Sequence, residues 1–398
     1  MWFIDKRIQV ICDELKKLCC VSSSPVENIQ YKKDRFFYPA EADADEAPWE
    51  EFHQKVTRWY GPDEHYWFRA AYKVPESLDR KTLRLHVKTQ IEEWDDGKNP
   101  QFLLFINGEA AQGLDMNHRT VQLDTHANAR DVWNFDLQGY TGTLHTEFDL
   151  IMEVQQVDLR IEKLYYDLLV PLQAFSRMDA DDKVRLDIQT VLNEAVNMLD
   201  LRTPYTDSFY ESVKKADDYL EKALYEDMGG YDDVIATCIG HTHIDVAWWW
   251  TVEQTREKVA RSFSTVLKLM DEYPDYKFMS SQPQLYIFLK ERYPKLYERV
   301  KEKVREGRWE PEGGMWLEAD TNLTSGESLV RQFLYGKKFF KDEFGVDNEI
   351  LWLPDVFGYS GALPQIMKKS GIKYFMTTKL AWNQVDKMPY DTFMWKGI

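Results

Sequence analysis

The sequence predicts an α+β N-terminal region, a β-sandwich plus helices, followed by an α/β domain with parallel strands. Three observations predict it. Residues 66–154 carry short segments of period two with turn residues between them. Residues 159–229 carry apolar residues at helical spacing. From 231, short apolar runs alternate with helical ones, the pattern of βαβ units. The 398 residues are 44% hydrophobic and 29% charged, enough for large cores under a charged surface, which excludes a disordered or fibrous chain. A net charge of −17 repels phosphate backbones, so nucleic acid is excluded as a general partner.

Taken in order, residues 1–20 read as an amphipathic helix rather than a signal peptide, because charges interrupt the apolar positions. Residues 1–35 are expected to be helical. Pro39, Pro48 and Pro62 make 36–65 an irregular connection, and 1–65 forms the first unit. YWFRAAYKV (66–74), TLRLHVKTQ (82–90), FLLFI (102–106), RTVQLD (119–124) and HTEFDLIMEV (145–154) read as strands of a sandwich domain over 66–158. Asn107-Gly108 is a hairpin signal, since that pair accepts positive φ. Three helical runs make 159–230 a helical linker region, with Gly229-Gly230 as its stop. In 231–398, the segments VIATCIG (234–240), KFMSS (277–281), RWEPEGG (308–314), EILWLP (349–354) and IKYFMTT (372–378) are the expected strands.

No run of 18 apolar residues occurs, so no membrane-spanning helix and no membrane partner are expected. Cys12, Cys19, Cys20 and Cys238 do not make a disulfide framework or a CxxC pair, and a reducing cytoplasm is expected. The 14 Trp, 22 Tyr and 21 Phe suit large cores, and flat rings also suit the apolar faces of pyranoses.

The chemistry concentrates in three segments. GHTHIDVAWWW (240–250) follows an apolar strand at the edge where parallel α/β folds build their sites. In an extended segment His243 and Asp245 point the same way and can grip one ion, and imidazole with carboxylate suits zinc. In EPEGGMWLEADTNL (310–323), Gly313-Gly314 allows close backbone approach. Glu318 and Asp320 are then candidates for metal ligation, nucleophilic attack or proton transfer, although a solvated acidic loop fits the same residues. In LPDVFGYSG (353–361), Asp355 follows an apolar strand, where an N-cap role is equally open. Three acidic loops on one parallel sheet would converge, with Trp248 and its neighbours as walls.

HTHIDVAWWW, EGGMWLEADTNLTSGESLVRQF and LPDVFGYSGALPQIMKKSG resemble the catalytic domain of the zinc-dependent α-mannosidases of glycoside hydrolase family 38. The likeness is greatest to the cytosolic and bacterial branch and is specific over 231–398. It implies that His243 and Asp245 bind zinc, and that Asp320 is both a zinc ligand and the catalytic nucleophile. It implies too that Trp248 stacks on the sugar and that Asp355 lies close to it. His241, though part of the motif, is not expected to be a ligand. The implied reaction is retaining hydrolysis of terminal α-linked mannose from oligosaccharides through a covalent glycosyl–Asp320, with one Zn2+ per site.

The family's α/β domain is barrel-like with seven parallel strands, and it draws a further zinc-binding histidine and its acid/base carboxylate from far downstream. This sequence has no histidine after His243. The chain is therefore expected to be the front of a longer enzyme, with the fourth zinc ligand beyond residue 398. Alone, it is expected to bind zinc weakly and to hydrolyse little. An open sheet edge would favour pairing with another copy, so a homo-oligomer is an open expectation. Two alternatives stand beside this reading: a non-catalytic carbohydrate-binding fragment, and a metal-dependent hydrolase like the polysaccharide deacetylases.

Overall fold

A computed structural model describes residues 2–90, 100–228 and 235–398. Two antiparallel sheets face each other in the N-terminal half. One has the spatial order Glu50–Glu51, Gln30–Lys32, His65–Lys73, Val132–Tyr140, Gln101–Ile106, Glu109–Leu114. The other runs Cys20–Pro25, Ile151–Val157, Leu83–Lys88, Thr120–Asp124.

Leu83–Lys88 alternates buried and half-buried side chains, as a strand with one covered face must. Gln101–Ile106 does not alternate, and the packing explains its apolar run. Phe102 and Leu104 join Trp59, Phe68 and Phe135 in the core between the sheets. Leu103 and Phe105 point the other way, into a second core with Phe263, Leu267 and Tyr297 of the α/β half. The six-stranded sheet is thus covered on both faces. At its hairpin, Asn107 and Gly108 have φ of 51° and 83°, the signature of a type I′ turn.

Two local expectations are corrected. Residues 20–35 are not helical. The first helix, Trp2–Cys19, stops before a Val-Ser-Ser-Ser-Pro run that favours extended backbone and pairs with Ile151–Val157. The expected strand 145–154 is broken into Glu147–Phe148 and Ile151–Val157. Between them the Asp149 carboxylate accepts from the Lys55 and Leu150 amides and its carbonyl from the Trp59 indole, which takes the backbone out of the ladder.

Helices Leu159–Phe175, Lys183–Asn197 and Asp207–Leu220 start at Asp158, Asp182 and Thr206, whose side chains accept from backbone amides of the first turn. They share one core with Trp2–Cys19, through Ile8, Leu15, Leu164, Leu168, Phe209 and Val213. The expected stop at Gly229-Gly230 lies outside the described residues.

In the C-terminal half, Gly240–His241, Phe278–Ser280 and Trp309–Pro311 pair in parallel, as do Ile350–Trp352 and Tyr374–Met376. A parallel bridge between Gly313 and Leu351 joins the two groups, so five strands follow one another in chain order. Helices Val252–Glu272, Pro283–Arg292, Pro294–Arg305, Gly326–Phe344 and Leu363–Lys369 alternate with them. Of the expected strand 234–240 only Gly240 enters the ladder; residues 235–239 are exposed, and Val234 lies outside the described residues. The strand has one described neighbour, so side chains such as Ile235 meet no covering surface. Gly313 is indispensable in form: at φ 146°, a Cβ there would lie 2.7 Å from that of Ser281.

The two halves are locked by a buried charge group. Glu257, on the helix that follows the 240–250 segment, meets Arg35 at 2.7 Å and His65 at 2.9 Å, with Arg261 at 3.7 Å.

Candidate active site

The loops at the C-terminal ends of the parallel strands meet at His243. Its Nε2 lies 3.2 Å from Asp245 Oδ1 and 3.8 Å from Asp355 Oδ2, and donor atoms of these three residues fall within 4.8 Å of one another. On the other side of the ring, Nδ1 is 2.6 Å from Glu318 Oε2. Burial disfavours the charged imidazole, but the hydrogen bonds and charges of Asp245 and Glu318 outweigh it and push the His243 pKa up to about 10.

His241 is placed differently. Its Nδ1 is bonded to the Met279 carbonyl at 3.1 Å, and its Nε2 accepts from the Trp352 indole at 3.1 Å. Both nitrogens are engaged, and burial lowers its pKa, so it serves as a neutral tie between three strands.

The 240–250 segment is stitched to the helix behind it. The Trp250 indole donates to the Asp245 carbonyl at 3.2 Å, and the Thr255 hydroxyl donates to the Val246 carbonyl. A capping box between Thr251 and Gln254 starts that helix. Trp248 stands in the open, 57% exposed, with its ring 5.6 Å from that of Trp249.

The structure brings His243, Asp245 and Asp355 together and does not bring Asp320 to them. Asp320 is exposed, and its Oδ1 accepts the amides of Asn322 and Leu323, both at 2.8 Å. The physical reason is local: the turn after Asp320 leaves two amides that its own carboxylate satisfies. Asp355, expected from the resemblance to lie close to the sugar, is grouped with His243 and Asp245.

Three residues gained roles that the sequence did not reveal. Glu318 was a candidate carboxylate without a partner. Lys379 ion-pairs with Asp355 and lies over the rings of Phe357 and Trp382. Gln282, buried at φ 65°, bonds both the Ile244 carbonyl and Glu318. The only signal for Gln282 was its place between a strand end and Pro283; for Lys379 there was none. Beside Asp355 a cavity of about 410 Å³ is lined by Phe357, Tyr359, Phe375, Lys379 and Trp395, a volume that suits a small ligand.

The donor set fits a zinc ion. One imidazole nitrogen and two carboxylates are ordinary zinc ligands, and separations of 3.2 and 3.8 Å bracket the ~3.4 Å edge of a tetrahedron with bonds of about 2.1 Å.

Parallel strands that deliver an imidazole, carboxylates and open aromatic rings to one edge define an α/β domain with a candidate metal site at its strand ends. Residues 233–398 match the model of the glycosyl hydrolases family 38 N-terminal domain. It is 34% identical over 366 residues to alpha-mannosidase G of Dictyostelium discoideum, which covers 86% of this chain and 32% of that protein. It is 40% identical over 352 residues to alpha-mannosidase 2C1 of Homo sapiens, covering 83% and 32%. With the alpha-mannosidase of Saccharomyces cerevisiae it shares 37% over 255 residues, 61% and 23% of the two chains. The chain spans about a third of the length of the first two relatives.

Proposed function

We propose that this chain carries the zinc- and sugar-binding part of a retaining α-mannosidase that removes terminal α-linked mannose from oligosaccharides. The observation that carries the proposal is the convergence of His243 Nε2, Asp245 and Asp355 at the ends of parallel strands. The likeness to proteins named alpha-mannosidases supports the sugar. In this reading His243 and Asp245 hold the ion, and Asp355, oriented by Lys379, sits at its edge toward the sugar. When bound, zinc supplies a Lewis-acid hold on sugar hydroxyls. Trp248 covers the apolar face of the ring. Asp320 turns from its own loop and attacks the anomeric carbon. The bond to the leaving sugar breaks, its oxygen takes a proton from an acid/base carboxylate supplied outside this group, and water then hydrolyses the glycosyl ester on Asp320.

The proposal extends to a seven-stranded barrel-like α/β domain and to units at 1–65, 66–158, 159–230 and 231–398. It extends also to a homo-oligomer and to a cytoplasmic location, which four unpaired cysteines support. Among the described residues, no helix is long and apolar enough to cross a membrane.

One observation favours a second reading, a deacetylase-like metal hydrolase without a nucleophilic carboxylate: Asp320 is bonded to its own loop. Trapping separates the two. The zinc-loaded protein is incubated with a fluorinated mannosyl fluoride, and its peptides are mapped by mass spectrometry. A label on Asp320 establishes the retaining reaction, and hydrolysis without a label overturns it. Mannoside binding that survives zinc removal and His243→Ala assigns the chain to sugar binding alone.

Trp248→Ala tests the stacking role. Removing this exposed ring should weaken mannoside binding roughly tenfold, about 1.4 kcal/mol. Stability should move by less than about 0.5 kcal/mol. Titration calorimetry and a denaturation curve read the two effects, and unchanged affinity removes Trp248 from the sugar site.

A further inference from the structure

We propose that Glu318 is the positioning residue of the metal centre, fixing the tautomer and ring orientation of His243 so that Nε2, and not Nδ1, faces the ion. The inference rests on the zinc reading above and adds a residue to it.

Glu318 is held from three directions. Its Oε1 accepts from the Ser281 hydroxyl at 2.8 Å and from the Gln282 side-chain amide at 3.3 Å. Its backbone N–H donates to Gln282 Oε1 at 3.2 Å. Gln282 is itself anchored, donating to the Ile244 carbonyl at 3.0 Å from a left-handed backbone. The carboxylate therefore belongs to a framework that spans the loops of the first three parallel strands, and its side chain is only 5% exposed.

Oε1 is used up by that framework, and Oε2 is left for His243. Oε2 and Nδ1 are 2.6 Å apart and closed to solvent, an ion-pair contact not aligned as a hydrogen bond; among the described residues neither atom has a hydrogen-bond partner, while Nε2 bonds Asp245. A neutral imidazole offers one donor and one acceptor. When an ion takes the place of the Nε2 proton that now meets Asp245, the remaining N–H falls on Nδ1, the side next to Glu318, and the lone pair falls on Nε2, the atom that faces Asp245 and Asp355. The opposite tautomer would set a lone pair against a buried carboxylate. Glu318 stands apart from the group whose donor atoms lie within 4.8 Å of one another, so it acts through the ring and not on the ion. Carboxylates that orient metal-bound histidines in this way strengthen the ligand and exclude the wrong ring flip.

The test uses the 398-residue chain labelled with ¹⁵N-histidine. Zinc affinity is measured by competition with a chromophoric chelator for the unaltered chain, His243→Ala, Glu318→Gln and Glu318→Ala. Long-range ¹H–¹⁵N spectra of the zinc-loaded chain read the tautomer, with His243 assigned from its loss in the alanine variant. We expect a protonated Nδ1 with zinc on Nε2. Glu318→Ala should weaken zinc roughly 10- to 100-fold. Glu318→Gln, whose amide oxygen still accepts from Nδ1, should weaken it less and keep the Nδ1–H pattern.

Zinc on Nδ1, or unchanged affinity in both Glu318 variants, overturns the role. If Glu318→Ala does not fold, the Gln variant decides: weaker binding supports the role, and unchanged binding overturns it. If His243→Ala binds zinc as well as the unaltered chain, it is the metal reading that fails, and the positioning role falls with it.

Discussion

His243→Ala should abolish zinc binding by this chain. It takes away the one nitrogen donor of the group, so its effect should exceed the roughly 10- to 100-fold loss that removing an outer-sphere partner brings. Asp245→Ala should behave similarly, since its Oδ1 stands 3.2 Å from the same Nε2. Equilibrium dialysis against zinc reads both. Zinc retention by His243→Ala at the unaltered level would move the centre elsewhere.

Binding should also depend on pH. With its pKa pushed up by Asp245 and Glu318, to about 10, His243 should hold a proton in the metal-free chain. An incoming ion must displace that proton, so affinity should rise with pH, roughly tenfold per unit below about pH 10 for a single proton released. A flat profile between pH 6 and 9 would show that another group carries the ion. Asp320→Ala is the variant on which geometry and family likeness part. We expect it to weaken zinc and abolish turnover. Unchanged zinc binding would mean that Asp320 stays hydrogen-bonded to Asn322 and Leu323 and that Asp355 is the third ligand.

The second large effect is on stability. Glu257→Ala should cost about 3–5 kcal/mol, because it leaves half-buried His65 and buried Arg261 without their shared carboxylate, while Arg35 keeps its pair with Glu253. The Glu257 side chain is 2% exposed. Burial alone would raise its pKa, but the hydrogen bond and charge of His65, with Arg261 and Arg35, hold it down at about 2. The folded value lies below the ordinary glutamate value of 4.5. The contribution is therefore present above about pH 4.5 and is lost as pH falls toward about 2. Urea denaturation of the unaltered chain and Glu257→Gln should give curves far apart at pH 6 and converging as the medium is acidified. An equal gap at both pH values would show that the residue acts through packing rather than charge.

Much of the architecture was legible because it is written in short-range patterns. The two-residue period of TLRLHVKTQ and the Asn107-Gly108 turn each encode a local geometry. The grouping of His243 and Asp245 was legible for the same reason, since two positions on an extended segment share a side. Their family likeness followed from the motifs around them.

Other features depend on what lies across space. FLLFI is buried on both faces because a sheet covers one side and helices from the far half cover the other. VIATCIG reads as a strand, yet only its last residue pairs, because ladder formation needs neighbours that no run of seven residues can supply. Asp355 and Asp320 look alike in sequence. Tertiary structure set them apart, turning one toward His243 beside Lys379 and leaving the other to satisfy its own turn. Glu318 gained its partner only when a loop 75 residues away folded against it (243 to 318), the kind of contact that chain spacing does not record. The sequence by itself determined most of the elements, the family likeness and the chemical types at the site. The tertiary structure decided which carboxylate faces which nitrogen, because that depends on distances between loops that only the packed sheet brings together.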